Sequence, residues 1–144
     1  MAFETVKPYF QSAIKAVDAS LEEWVDAFNI ANIPQTQLDC AWHFSHGNAT
    51  FIQYDQGCLS YLMPVTLRFF FKGYRSPADA VDNAVRKAEA IIKESCRHSR
   101  RLNQPYIKQV VPKDFNAEAL DNSNDNTVVL VMSFDCRVHL DLET

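Results

Sequence analysis

Two histidines with two residues between them are the first candidates for chemistry in this sequence. His43 and His46 enclose the dipeptide FS, and Asp39 and Cys40 precede them closely. Imidazole, thiolate and carboxylate groups all bind zinc, but a zinc site needs three or four ligands and further groups that orient them. The segment has no helical period that would bring both imidazoles to one face. We therefore expect two histidines of an exposed loop rather than a metal site.

The cysteines are the second candidates, as metal ligands or as nucleophiles. They are scattered along the chain without a C-x-x-C pair, at Cys40, Cys58, Cys96 and Cys136. This spacing is typical neither of a zinc site nor of a small disulfide framework, so reduced thiols are expected. A nucleophilic cysteine meets its histidine in space rather than along the chain. A small cysteine-dependent or metal-dependent enzyme therefore stays open as the least favoured alternative.

Phosphate and calcium sites would need sequence patterns that this chain lacks. Its glycines, at positions 47, 57 and 73, form neither G-x-G-x-x-G nor G-x-x-x-x-G-K. The polar run DNSNDN (121–126) resembles a calcium loop in composition, but it lacks the glycine and the closing glutamate. We expect no catalytic residue, no cofactor and no metal, and hence a protein that is not an enzyme.

The segment RFFFKGYR combines aromatic and basic side chains, which is the composition of surfaces that bind single-stranded nucleic acid. On a strand, however, Phe69 and Phe71 point to one face, towards the helices. Arg68, Phe70 and Lys72 then point to the other face. The formal net charge of -4 also gives no general attraction to a polyanion. Nucleic-acid binding is therefore a secondary hypothesis.

Two amphipathic helices are predicted from apolar residues that recur every three or four positions. The first covers about residues 6–29, with Pro8 in its first turn and an end before Pro34. The second has Ser76 as its N-cap and ends near Arg97. Basic residues at that end complement the negative pole of the helix.

The strands are predicted from alternation and from turn residues. Residues 49–55 and 60–72 form a hairpin across a turn at 56–59, and a strand at 105–115 is held short by Pro112. Residues 35–48 are predicted to form an edge strand or an ordered loop. Residues 116–126 are predicted to form a polar loop, and residues 128–142 a long strand with one face in the core.

The predicted order is helix, hairpin, helix, hairpin, within a single domain of residues 1–144. We expect an α+β fold, a two-layer sandwich in which a mostly antiparallel sheet carries the two main helices on one face. The composition, 47% hydrophobic and 22% charged, is globular. Since no apolar run approaches about 18 residues and no secretory leader is recognisable, we expect an intracellular protein without a membrane span.

The second face of this sheet is unusual because it mixes apolar and charged side chains. Its residues are Phe70, Val129 and Val131 beside Arg68, Lys72, Asp135, Arg137, His139 and Asp141. Apolar residues with a charged rim are typical of a protein–protein contact. We interpret this second face of the phenylalanine-rich strand, which includes Phe70, as covered by another subunit or partner.

The segments VTLRFFFKGYRSPADAVDNAVRKAEAII and IKQVVPKDFNAEALDNSNDNTVVLVMSFDCRVHLD carry a resemblance to a known family. The strand–KGYRS–helix arrangement, the variable polar middle, the SNDN turn and the long final strand resemble the tail terminator and tail-completion proteins of long-tailed bacteriophages. The resemblance covers about residues 60–142.

The resemblance implies a structural subunit of the virion tail or neck, assembled in the host cytoplasm. Such a subunit forms a homo-hexameric ring that caps the tail-tube protein, stops its elongation and joins it to a connector or neck protein of the DNA-filled head. DNA passes through the lumen without sequence-specific binding, and no membrane is involved. Heterologous contacts close such a ring when the rotation between subunits fits. Another head–tail connector or neck protein is the alternative within this class.

Candidate subunit or tube contacts follow from surface placement together with the resemblance. They are Arg68, Phe70, Lys72, Tyr74 and Arg75 around the strand-to-helix turn, Asn122, Asn124, Asp125 and Asn126 in the polar loop, and Val129, Val131, Asp135, Arg137 and His139 on the last strand.

Overall fold

The computed structural model describes residues 3–23, 41–55, 57–71, 77–102, 106–119 and 128–141. Within these ranges the elements are α1 (Phe3–Val17), β1 (Glu22–Glu23), β2 (Ala41–His46), β3 (Thr50–Asp55), β4 (Cys58–Phe71), α2 (Pro77–Ser95), α3 (His98–Leu102), β5 (Ile107–Ala119) and β6 (Val128–Asp141). The strands form one six-stranded, mostly antiparallel sheet, and α1 and α2 pack on one of its faces. The expected α+β sandwich is confirmed.

Strand β4 is the centre of the sheet. It pairs with β6 over its whole length, Cys58–Phe71. Its other edge is shared, because β2 pairs with residues 65–70 and β3 with residues 58–62. β5 continues the sheet beyond β6, and β1 extends it in parallel beyond β2. β3 and β5 therefore lie on opposite sides of the sheet, each at an edge.

The hydrophobic core lies between the helices and the sheet. Alternate residues of β4 and β6 face it, and α1 and α2 each contribute an apolar stripe. Its largest fully buried members are Tyr9, Phe10, Ile14, Met63, Leu67, Phe69, Phe71, Ile91, Leu130, Met132 and Phe134. Phe10 joins the two layers, with its ring centroid 5.2 Å from that of Phe134. Burying each such side chain contributes about 1.5–3 kcal/mol to the free energy of folding, so this face stabilises the sheet.

The first helix is shorter than predicted. It ends at Val17, where the sequence pattern extends it to residue 29, and residues 24–29 lie outside the described ranges. Asp18 ends it, because its carboxylate accepts bonds from the backbone N–H and the hydroxyl of Ser20, at 3.0 and 2.6 Å. Such local bonds compete with helical ones. Pro8 lies in the second turn of this helix rather than in the first, which is a further correction.

The predicted second helix is confirmed as α2, but it ends at Ser95 and the short α3 follows it. Arg97 and Arg100 near that end also have a carboxylate partner, which the sequence reasoning missed. Both bind Glu94, at 3.2 and 2.5 Å. The hydrogen bond from Arg100 is the main reason why the pKa of Glu94 lies below its usual value.

The structure decides between the alternatives for one segment and changes two further predictions. Segment 35–48 contains a true strand, β2. The prediction that Pro112 holds its strand short, with an end at residue 115, is wrong, since β5 continues to Ala119 and takes the first residues of the expected 116–126 loop. β5 is an edge strand with a register shift after Pro112, and proline is tolerated at such a bulge. The turn before β4 is also tighter than predicted, since Asp55 pairs with Cys58 and Gly57 has a φ of 78°.

Candidate functional site

The open face of the sheet, opposite the helices, carries the described candidate contact residues. They are Arg68 and Phe70 of β4 and Val129, Val131, Asp135, Arg137 and His139 of β6, and the pairing of β4 with β6 brings them onto one surface. The other candidates, Lys72, Tyr74, Arg75, Asn122, Asn124, Asp125 and Asn126, lie outside the described residues.

The Phe70 side chain is already buried within the single chain. It is only 1% exposed, although it lies on the open face, opposite Ala41 of β2 and Val129 of β6. Ala41 is also buried, and Val129 is half-buried. The interpretation that another subunit covers Phe70 is therefore wrong, because atoms of the same chain already exclude water from it.

The aromatic run of β4 is not a surface for stacking bases. Phe69 and Phe71 belong to the core beneath the helices, and Phe70 is buried on the other side. Of the segment that motivated the nucleic-acid hypothesis, Arg68 is exposed, and the residues after Phe71 lie outside the described ranges. Base stacking needs accessible aromatic faces, so this strand gives no support for that hypothesis.

One end of the open face, called the charged end here, carries Asp135, Arg137 and His139 of β6. Side chains at this end contact residues of other strands in the same chain. Arg137 donates to the side-chain oxygen of Gln53 on β3, at 2.8 Å. Asp135 lies 3.9 Å from the Lys113 ammonium on β5. The Ser60 hydroxyl lies 3.3 Å from Nδ1 of His139. These side chains connect β6 to three other strands, β3, β4 and β5, and shape the surface that a ligand or partner would meet.

A cleft of about 310 Å³ opens at this charged end. The described residues that line it come from four strands: Gln53, Cys58, Ser60, Lys108, Arg137 and His139. Lys108 reaches it from a register shift between Ile107 and Gln109. Sequence reasoning named Arg137 and His139 as contacts but missed the cleft, because its lining depends on how β3, β4, β5 and β6 are paired.

Exposed apolar side chains occur at the two edges of the sheet. In the described part of the chain the large ones are Phe51, Ile52 and Tyr54 on β3 and Val111 and Phe115 on β5. Phe51 and Tyr54 are 68% and 75% exposed, and Phe115 is 39% exposed. The sequence reasoning missed them. The available signal was the adjacent pair Phe51–Ile52 in a short strand, which places apolar groups on both faces at once.

The histidine pair cannot share one ligand through its own strand. His43 and His46 lie on β2, where side chains three positions apart point to opposite faces. The expectation of a loop is thus wrong for these residues. Among the described residues there is no group of three or more His, Cys, Asp or Glu side chains that could hold a metal ion. Asp39 and Cys40 lie outside the described ranges.

The described cysteines form no disulfide among themselves, and their surroundings differ. Cys136 is buried in the core, and burial, followed by the nearby Asp135 charge, raises the pKa of its thiol to about 12. It is therefore a structural thiol, because the reactive species is the thiolate. Cys58 is half-buried at the cleft, and Cys96 is half-buried against the core.

Comparison with protein-family models and with curated proteins found no match to this chain. No helix among the described residues has both the length and the apolar character needed to cross a bilayer.

Proposed function

We propose that this chain is a structural subunit of a bacteriophage tail. It assembles with copies of itself into a ring that caps the tail tube, stops tube elongation and joins the tube to the neck of the DNA-filled head. Its partners are other copies, the tail-tube protein and a connector or neck protein, while DNA passes through the lumen. The resemblance of residues 60–142 to tail terminators supplies the class, and the edges of the sheet support self-assembly.

The observation that carries the proposal is the placement of exposed apolar side chains on β3 and β5. The two strands lie on opposite sides of one sheet. A contact between the β3 edge of one copy and the β5 edge of the next is heterologous, and repeated heterologous contacts form a closed ring when the rotation fits. Such a contact would cover Phe51 and Tyr54 on one copy and Phe115 on the other.

The edge contact would depend on side chains more than on backbone pairing. Pro112 has no N–H to donate, and the register of β5 shifts beside it. Lys113 also lies on this edge, and proline and lysine are common devices against uncontrolled strand addition. Val111 and Phe115, on either side of this interruption, would supply apolar area without extending the sheet indefinitely.

The test is the mass of the purified chain in solution, with and without tail-tube protein. Native mass spectrometry or light scattering should give one closed ring, either for the chain alone or once tube protein is added. A chain that stays monomeric at high micromolar concentration and ignores tube protein would contradict the proposal. Adding neck protein separately distinguishes a tail terminator from another head–tail connector.

Single-stranded nucleic-acid binding remains the alternative from a different class. Phe51 and Tyr54 on β3 are exposed aromatics on which bases could stack. Titration with labelled oligonucleotides at low salt tests it, because electrostatic affinity is greatest there. Absence of binding under those conditions removes this alternative.

A further inference from the structure

The exposed aromatic side chains of β3 lie on the helix side of the sheet. On paired antiparallel strands, residues directly opposite each other point to the same face. Phe51 of β3 pairs with Tyr61, which itself pairs with the core residue Val138. The Phe51 and Tyr61 rings are in contact, with their centroids 6.1 Å apart. Through its own partner on β4, Tyr54 is aligned with Leu140, which also packs against the core, so both aromatics of β3 point to the helix side.

Phe115, at the opposite edge of the sheet, points to the same side. It pairs with Met132, a core residue of β6, whereas Val111 pairs with Asp135 and points to the open face. Both Phe115 and Val111 are 39% exposed. The exposed aromatic groups of the two edges therefore share one face of the sheet, and β5 carries an equally exposed apolar residue on the other face for comparison.

Helix α2 carries an apolar stripe on the side that faces β5. Val81, Val85 and Ile92 are half-buried and follow one another at spacings of four and seven residues, along one side of the helix. Lys87 lies on the other side, where it binds Asp18 next to the end of α1. The stripe therefore faces away from α1 and towards β5, which α2 also contacts. It borders the β5 edge on the helix side of the sheet.

We propose that Phe51 and Tyr54 are covered by a second copy of this chain, through Phe115 and the α2 stripe at its β5 edge. The inference rests on the proposed ring and names the face on which its subunits meet. In a ring generated by rotation alone, every copy turns its helix side in the same direction. The helix-side aromatics of one edge then meet helix-side apolar groups of the next copy, and the hydrophobic layer continues from subunit to subunit.

The exposed area is large enough for the centre of such a contact. At 68% and 75% exposure, Phe51 and Tyr54 present roughly 300 Å² of surface, taking roughly 200 Å² for a whole aromatic side chain. A standard protein–protein interface buries roughly 800 Å² on each partner, and its centre is enriched in aromatic residues. Phe115, α2 and the strand edges themselves would supply the remainder. A second copy is favoured over tube protein as the occupant, because this chain itself carries both halves of the contact on one face.

Two single variants of β5 test which face carries the contact. Phe115→Ser removes a helix-side group, and Val111→Ser removes an open-face group of equal fractional exposure. Each is assembled with and without tube protein and followed by native mass spectrometry across a concentration series, with circular dichroism as the check on folding. Phe115→Ser should weaken subunit association at least about tenfold, since central aromatic residues dominate binding energies, and Val111→Ser less than about threefold.

A photo-crosslink identifies the occupant independently of any loss of stability. A benzophenone amino acid replaces Tyr54. The control position is Thr50, which is exposed and lies on the open face, in line with Leu62 and Arg137. Rings built from equal amounts of isotope-labelled and unlabelled chains distinguish crosslinks between copies from those within a copy. Position 54 should capture β5 or α2 of another copy, and position 50 should not.

The outcomes separate this inference from the proposed function. A wild-type chain that stays monomeric with and without tube protein contradicts the ring, and the inference is overturned with it. Rings that form but are weakened as much by Val111→Ser as by Phe115→Ser keep the proposed function and overturn the helix-side contact. Crosslinks from position 54 to tube protein, or only within its own chain, also overturn it. Crosslinks to β5 or α2 of a second copy, together with the loss in Phe115→Ser, support it.

Discussion

Asp18 shows how a single side chain can end one helix and join it to another. Its carboxylate accepts two bonds from Ser20, which turns the chain after α1, and it lies 2.7 Å from the Lys87 ammonium on α2. The hydrogen bond from Lys87, followed by that from Ser20, lowers the pKa of Asp18 from 3.8 to about 2. The charged form of Asp18 is therefore favoured in the folded chain.

Replacement of Asp18 by asparagine tests this contribution at the residue scale. Asn keeps an oxygen for Ser20 but loses the charge that faces Lys87, so at pH 7 the free energy of unfolding should fall by about 1 kcal/mol after allowance for solvent screening. Since the folded pKa is below the unfolded one, the stabilisation is present above pH 3.8 and is lost as the pH falls towards about 2.

Urea unfolding of the wild type and D18N from pH 7 to pH 3 measures the difference. The difference in the free energy of unfolding between the two proteins should become smaller at the acid end of this pH range. Asp82→Asn, at an exposed acid on α2, is the control. A gap that stays constant with pH, or a loss of the same size in D82N, would assign the effect to something other than the Asp18–Lys87 pair.

At the scale of elements, Phe134 should contribute far more to the free energy of unfolding than a phenylalanine on an edge strand does. Phe134 is 1% exposed and packs against Phe10, whereas Phe115 on β5 is 39% exposed. Phe134→Ala should lower the free energy of unfolding by about 3–5 kcal/mol through lost burial and a residual cavity. Phe115→Ala should cost less than about 1 kcal/mol. Similar losses in the two variants, measured by urea unfolding, would contradict the assignment of the core.

The elements with long, regular patterns were predictable from sequence. The alternation of residues 128–142 predicts β6, and the apolar stripe after Ser76 predicts α2, because each pattern records a single buried face. The boundaries of α1 and β5 were not. They depend on particular contacts, namely the bonds that Asp18 accepts from Ser20 after α1 and the edge position that tolerates Pro112 in β5.

At the scale of the whole molecule, sequence could predict that the sheet has two unlike faces but not which residues stay exposed. Phe70 looks like a surface aromatic from its alternation, yet its own chain covers it. Phe51 and Tyr54 look like ordinary strand residues, yet they lie on an edge strand where they remain in contact with solvent. Exposure depends on the neighbours of each strand, and strand order is not recorded in any local pattern.

The proposed edge-to-edge contact makes a prediction that belongs to the assembled molecule. A β3-edge variant, Phe51→Ser with Tyr54→Ser, keeps an intact β5 edge, and a β5-edge variant, Val111→Ser with Phe115→Ser, keeps an intact β3 edge. Each should fold, as checked by circular dichroism and thermal unfolding, and each alone should be monomeric. Mixed in equal amounts they should form heterodimers and nothing larger by native mass spectrometry, because one productive contact remains and a ring cannot close. Dimers of either variant alone would indicate that an edge pairs with itself. Rings formed by both variants would place the subunit contact elsewhere on the molecule.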